Sequence, residues 1–205
     1  MKNRFVVVSL LVLVLSLLGS ALEYGGGGSY IIYQKYDLTK VNEMLTAQGF
    51  PTINSDAIGY GGGGYGRVSP NWVLGGEGAA ISLKQTQGTK TTNIQINFGG
   101  MYVARVFAFN GKAYIRLGGT MGGSEKTLIL AEKTNDPLSN REYSIVAENS
   151  FLVKPSLDFE YMIAPFCGLH LGISKSFTFA KQGHAIEDIK PTMIPDVTFG
   201  AIFGF

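Results

Sequence analysis

From about residue 24 onward, apolar and polar positions alternate with the period of two that belongs to β-strands, whose successive side chains point to opposite faces. The stretch 149–163 is the clearest case. Phe151, Val153, Pro155, Leu157, Phe159, Tyr161 and Ile163 share one face, and Ser150, Lys154, Ser156, Asp158 and Glu160 share the other. The same alternation, with Gly, Tyr, Phe and β-branched residues in abundance, predicts seven further strands, at 24–34, 57–68, 72–84, 91–108, 112–122, 167–178 and 195–205. In the third, Trp72, Leu74 and Ala80 oppose Glu77. In the fourth, Ile94, Ile96, Phe98, Tyr102, Ala104 and Val106 oppose Asn93, Gln95, Asn97, Met101 and Arg105. In the fifth, Ile115, Leu117 and Met121 oppose Tyr114, Arg116 and Thr120, and in the seventh Leu169, Leu171 and Ile173 oppose His170, Ser174 and Ser176.

The connections alternate in length. Those at 35–56, 123–148 and 179–194 are long and that at 85–90 is intermediate, whereas 69–71, 109–111 and 164–166 are tight. In an up-and-down barrel this sets all tight turns on one rim and the longer loops on the other, the layout of bacterial transmembrane barrels with short periplasmic turns and long external loops. Asn110-Gly111 is the dipeptide of a two-residue hairpin turn. The first long connection carries one short helix. Asp37 reads as its N-cap, Leu38, Val41, Met44 and Leu45 form an apolar stripe, and Gly49 and Pro51 end it. Its stripe either packs on the barrel mouth and on Phe50 and Ile53, or forms a surface for a partner, a lipid or a lid.

Alternation alone does not say which face turns inward. An eight-stranded barrel has an interior only wide enough to be filled by side chains, and the apolar faces are dense with bulky residues. The opposite faces are rich in small polar residues and in charges of both signs, which suits a narrow lumen. The expected arrangement is therefore an outer apolar band and a lumen network of Glu77, Asp158 and Glu160 with Arg105, Arg116 and Lys154, joined by Arg67 from the second strand, because buried charge persists only when paired. Two residues fit poorly. Lys175 is a charge in the outward register, and Pro155 removes a ladder donor, so a bulge is expected there.

Ahead of the strands, Lys2 and Arg4 precede an apolar run over 5–18 and the small residues Gly19, Ser20 and Ala21, the pattern of a cleaved export signal over 1–21, followed by a barrel domain over 22–205. The run falls short of the ~20 residues that span a bilayer as a helix, and no Cys near the cut marks a lipoprotein. Of 17 basic residues two lie in this segment, leaving 15 basic against 15 acidic. A neutral mature chain argues against nucleic acid as partner, since its recognition needs a basic stripe. The single cysteine, Cys167, excludes an intrachain disulfide.

Other motifs carry little. The spacing Gly59, Gly61, Gly64 matches a dinucleotide-binding fingerprint, but Ser69-Pro70 follows where a helix is needed. The glycine runs are better suited to sharp curvature and to room for large neighbours. His170 with Ser156 or Ser174 and Asp158 or Glu160 makes a formal Ser-His-acid set for lipid ester hydrolysis, with a satisfied lumen histidine as the plainer reading. His184 with Glu187 and Asp188 lacks metal-ligand spacing. No catalytic residue, metal or cofactor is assigned.

The terminal strand closes the reading. Val197, Phe199, Ala201, Phe203 and Phe205 share one face, and the chain finishes on Phe. With the export pattern, the even strand number and the alternating loops, the chain resembles small eight-stranded outer-membrane β-barrels of the OmpA or OmpX kind. The resemblance implies an all-β, antiparallel up-and-down transmembrane barrel in the bacterial outer membrane. It also implies both chain ends on the periplasmic side, a lumen blocked by a polar network, and Phe199, Phe203 and Phe205 as an insertion signal for the barrel-assembly machinery. Membrane lipid is the constant partner, and an external protein or lipid is a further one through the long loops. The expected role is structural or surface-interacting. A narrow pore, a lipid-modifying enzyme and a secreted soluble barrel holding an apolar ligand are the alternatives.

Overall fold

A computed structural model describes residues 24–133, 141–180 and 189–204, with backbone alone over 141–146 and at 180. Residues 1–21, expected to be an export signal, Phe205 and the loop with His184, Glu187 and Asp188 lie outside the described residues. The chain forms β1 (Gly25–Asp37), α1 (Thr39–Ala47), β2 (Asp56–Ser69), β3 (Trp72–Gln87), β4 (Lys90–Phe109), β5 (Ala113–Glu132), β6 (Arg141–Ala164), β7 (Cys167–Ser174), β8 (Phe177–Ala180), β9 (Lys190–Pro191) and β10 (Asp196–Gly204). Each long strand pairs antiparallel with its sequence neighbours, and β10 pairs with β1 from Gly26↔Gly204 to Tyr33↔Val197, closing a ring of eight. The ring is complete because β7 and β8 act as one interrupted strand, both pairing with β6, while β9 only extends the mouth beside Tyr36 and Asp37.

The outer wall is apolar. Ile31, Ile58, Trp72, Met101, Leu117, Phe151, Leu171, Phe177 and Phe203 are all exposed, and Leu157, Phe159 and Phe199 keep 50, 43 and 55% of their surface. A soluble monomer rarely presents a contiguous apolar patch beyond a few hundred Å², so an apolar surface on every side of the ring is one built for lipid.

The fourth strand departs from the expected orientation. Ile94, Ile96, Phe98, Tyr102, Ala104 and Val106 face inward and are buried, while Met101 and Arg105 face out. The cause is one residue of register. A two-residue turn at Asn110-Gly111 would set Arg105 beside Arg116, but the ladder pairs Phe109↔Ala113 and hence Val106↔Arg116 and Tyr102↔Thr120. Asn110 and Gly111 do adopt the positive φ values of 47° and 67° of the expected turn, and Lys112 N–H donates to the Phe109 carbonyl at 3.3 Å. Lys112 then lies outside the ladder, and a slip of one flips every side chain of a strand.

Two further expectations change. The connection expected over 123–148 is mostly strand, since β5 runs to Glu132 and β6 begins at Arg141. No bulge occurs at Pro155, where the pairing with β5 continues in register through Gly119↔Pro155. Instead the ladder to the other side breaks: Ser156↔Ser174 and Val153↔Phe177 keep one register, with Lys175 and Ser176 between them outside any strand. Lys175 N–H donates to the Pro155 carbonyl at 3.1 Å. A residue's N–H and C=O point to the same side of its strand, so the donor that proline lacks is the one that would meet β7.

The interior holds two apolar zones. Near the tight-turn rim lie Tyr24, Val73, Tyr102, Ala104 and Val106, and toward the other end lie Ile32, Ile81, Leu83, Ile94, Ile96, Phe98, Leu128, Leu130, Leu152 and Ile189. The second zone is finished by α1. Leu38, Val41 and Leu45 are buried in it with Ile53, and Met44 and Phe50 pack against it. The helix caps the barrel mouth. It starts one residue later than expected, with Leu38 at the N-cap, though the Asp37 carboxylate still accepts the Thr39 N–H at 3.1 Å. Asn42 ties helix to loop, donating to the Ile53 carbonyl at 3.0 Å and accepting its N–H at 2.9 Å.

Candidate functional site

Between the two apolar zones the inward faces of β1–β7 and β10 carry polar side chains, and these make the candidate site. Its lowest layer is built on Glu160 of β6, wholly buried. Arg116, beside it on β5, is 2.6 Å away, with side-chain exposures of 5 and 0%. The hydroxyls of Tyr24 and Tyr65 donate to the same carboxylate at 2.8 and 2.7 Å. The Arg116 guanidinium lies 4.1 Å from the Tyr65 ring centroid and 5.2 Å from that of Tyr102. Tyr114 packs against Tyr24 at a tilt of 37° with centroids 4.6 Å apart and completes an aromatic floor.

One turn of the pleat higher, Asp158 accepts from Tyr102 and Ser156 hydroxyls at 2.8 and 2.9 Å. His170 stands between the layers, 3.8 Å from both Asp158 and Glu160 and 3.2 Å from the Thr198 hydroxyl. Above it Glu77 pairs with Lys154 at 3.0 Å and accepts from the Thr120 hydroxyl at 2.5 Å. The Lys154 ammonium lies 4.8 Å from the centroid of Phe98, which begins the apolar zone under α1. Gly61 makes this possible, because a Cβ there would run into the Tyr30 ring that leans over Glu77. A cavity of about 50 Å³ remains among Tyr30, Glu77, Arg116, Asp158 and His170.

Five of the seven residues expected in the lumen network thus meet there: Glu77, Arg116, Lys154, Asp158 and Glu160. Arg105 does not. It faces outward, stacked 5.1 Å from the Phe107 ring centroid. Arg67 also stays out of the ion pairs: its guanidinium lies 5.3 Å from the Tyr24 ring, and no carboxylate pairs with it among the described residues. Phe199 and Phe203 are exposed on the lipid-facing side of β10.

Sequence reasoning missed the tyrosines. Tyr65 shares the face of Arg67, a signal that was there to be used, whereas Tyr102 was hidden by the register slip. A third buried pair, Lys126 with Glu148 at 3.5 Å, falls in what read as a loop. Asp196, fully buried and receiving the Ser176 hydroxyl at 2.9 Å, was not singled out either.

The arrangement holds charge still rather than presenting it. Ser156 is turned to Asp158, and the Ser174 hydroxyl has no hydrogen-bond partner, so neither of these two serines is held by His170. No group of three or more His, Cys, Asp or Glu side chains that could hold a metal occurs among the described residues.

No protein-family model matches the chain, and no curated protein matches it in sequence. Solved structures do match in fold. Ail, the attachment invasion locus protein of Yersinia pestis, is 11% identical with a TM-score of 0.53 over 89% of this chain and 97% of that one. Its complex with the heparin analogue sucrose octasulfate gives 12% and 0.55 over 88% and 99%. CarO2 of Acinetobacter baumannii gives 12% and 0.42 over 90% and 99%. The closed ring and the likeness to Ail together give the chain the all-β, eight-stranded up-and-down fold of the small outer-membrane barrels.

Proposed function

We propose that the chain is exported, loses residues 1–21, and resides in the bacterial outer membrane as a closed barrel of structural or surface-interacting type, without catalytic function. The observation that carries this reading is the enclosure of two ion pairs, Arg116–Glu160 and Lys154–Glu77, between an aromatic floor and a helix-capped apolar zone. Opening such a lumen means separating buried charges, and removing either partner of a buried pair costs about 3–5 kcal/mol. The network of Glu77, Arg116, Lys154, Asp158 and Glu160 therefore acts as a plug. The long connections and α1 are the parts turned to the outside, where a protein or lipid partner would meet them.

Phe199, Phe203 and Phe205 are assigned as the signal read by the barrel-assembly machinery, on the strength of the apolar outer face of the closing strand. Purified protein in planar bilayers is expected to stay silent across voltage, and stepwise currents would refute the plug. Recovery with outer membranes, heat-shifted migration in detergent gels and a mature N-terminus just after Ala21 test the location. Recovery in the soluble periplasm would refute it.

A further inference from the structure

The two ends of the barrel differ in charge. The tight-turn rim, made of residues 67–73, 104–115 and 161–169, contains Arg67, Arg105 and Lys112 and no Asp or Glu. At the opposite end the charges are mixed: the exposed acids Asp37, Glu43, Asp56 and Glu125 lie there on the long connections and upper strands together with the exposed Lys40, Lys84, Lys133 and Lys190. Arg105 stands out on this rim. It is exposed on the outer wall, in line with Trp72 on one side and Leu117 on the other. No carboxylate pairs with it among the described residues, and its one close partner is the Phe107 ring at 5.1 Å.

A guanidinium on the outer face of a transmembrane barrel is strongly unfavourable at the midplane and close to neutral at the interface. Arg105 sits beside Trp72, the first residue of β3, next to the Ser69–Trp72 turn where hydrocarbon gives way to headgroups. Trp72, Phe107 and Phe109, all exposed, supply the aromatic residues that settle at such a boundary. What this level of the membrane offers is phosphate, and the planar fork of arginine matches a phosphate's oxygens with two parallel hydrogen bonds.

We propose that Arg105, seated between Trp72 and Phe107, binds the phosphodiester of a phospholipid in the periplasmic leaflet, with Arg67 and Lys112 adding to the favourable field of the rim. The proposal rests on the membrane-barrel reading above. In that reading the outward arginine is a lipid-selective contact set among the exposed apolar residues Trp72, Phe107 and Leu117.

Native mass spectrometry of the full chain released from detergent tests it, with phosphatidylglycerol and a phosphate-free galactosyl diacylglycerol of the same acyl chains as probes. Heat-shifted gel migration first establishes that wild type, R105Q and R105K are folded. Wild type is expected to prefer phosphatidylglycerol. R105Q should bind it about tenfold more weakly, the loss of a charge-assisted contact, with R105K between them, and the galactolipid should bind all three alike. A folded R105Q protein with unchanged phosphatidylglycerol affinity would overturn the site alone. Absence of any heat-shifted form, even in wild type, would overturn the membrane reading and the site with it.

Discussion

At the scale of the residue, the lumen is held by pairs whose members depend on one another. Arg116 gives its charge to Glu160 and its face to Tyr65, and Glu160 collects two tyrosine hydroxyls besides. Substituting R116M leaves a buried carboxylate without its cation and is expected to cost about 3–5 kcal/mol in urea unfolding from lipid vesicles. The double substitution R116M/E160M removes both charges and should recover much of that loss, as measured by a double-mutant cycle. Backbone contacts are equally exacting. A Cβ on Gly28 would overlap the Ala201 carbonyl across the β1–β10 seam, whereas one on Gly123 meets nothing within 4 Å. G28A should therefore destabilise by about 1–3 kcal/mol and G123A by no more than about 0.5 kcal/mol, in the same assay. Glu77, Lys154, Asp158 and Glu160 were legible in the sequence because their strands carry charge on one face only. Tyr24, Tyr65 and Tyr102 were not, since a tyrosine counts as apolar in any alternation and only a buried carboxylate turns its hydroxyl inward.

At the scale of the element, the expected strands and the helix are present, and the errors came from connections. The reading of β4 failed at a single residue, Lys112, left outside the ladder after a turn whose dipeptide was read correctly. Its upper half added to the confusion: Asn93, Gln95 and Asn97 face outward, where polar side chains are tolerated only if that end of the strand stands above the hydrocarbon. The helix shows what the upper zone requires. Leu45 has no exposed surface, so L45A should cost about 2–5 kcal/mol, and N42A, which breaks two hydrogen bonds to Ile53, about 1–3 kcal/mol. Neither should open a conductance in planar bilayers, because the ion pairs lie below the cap. The break between β7 and β8 has an equally local origin. P155V restores an N–H directed at β7 and should slow amide exchange at Lys175 and Ser176, while unchanged exchange would place the cause of the break elsewhere.

At the scale of the whole molecule, closure is what turns these pieces into a barrel. An open sheet with the same inner faces would expose the ion pairs to water and leave β1 and β10 as edges, each a template for aggregation. The seam that prevents this runs from Gly26↔Gly204 to Tyr33↔Val197 and joins segments more than 160 residues apart in sequence. The terminal strand's one-sided apolar face made this seam legible, but its register was not, because alternation fixes only a strand's parity. Ser29 and Ala201 are partners across it, both on the outer face. Directly opposed residues of antiparallel strands have Cα atoms about 4.5–5.5 Å apart, within the range a disulfide accepts. In a C167S background, which removes the only native thiol, S29C/A201C should oxidise to an intramolecular disulfide, and the heat-denatured oxidised chain should migrate faster than the reduced one. The control S29C/F199C is offset by two residues and would have to bridge side chains about 7–8 Å apart, so it should remain reduced under the same mild oxidant. Efficient cross-linking of the control with none of the registered pair would mean that β1 and β10 meet in another register, and failure of both would mean that the ring is open.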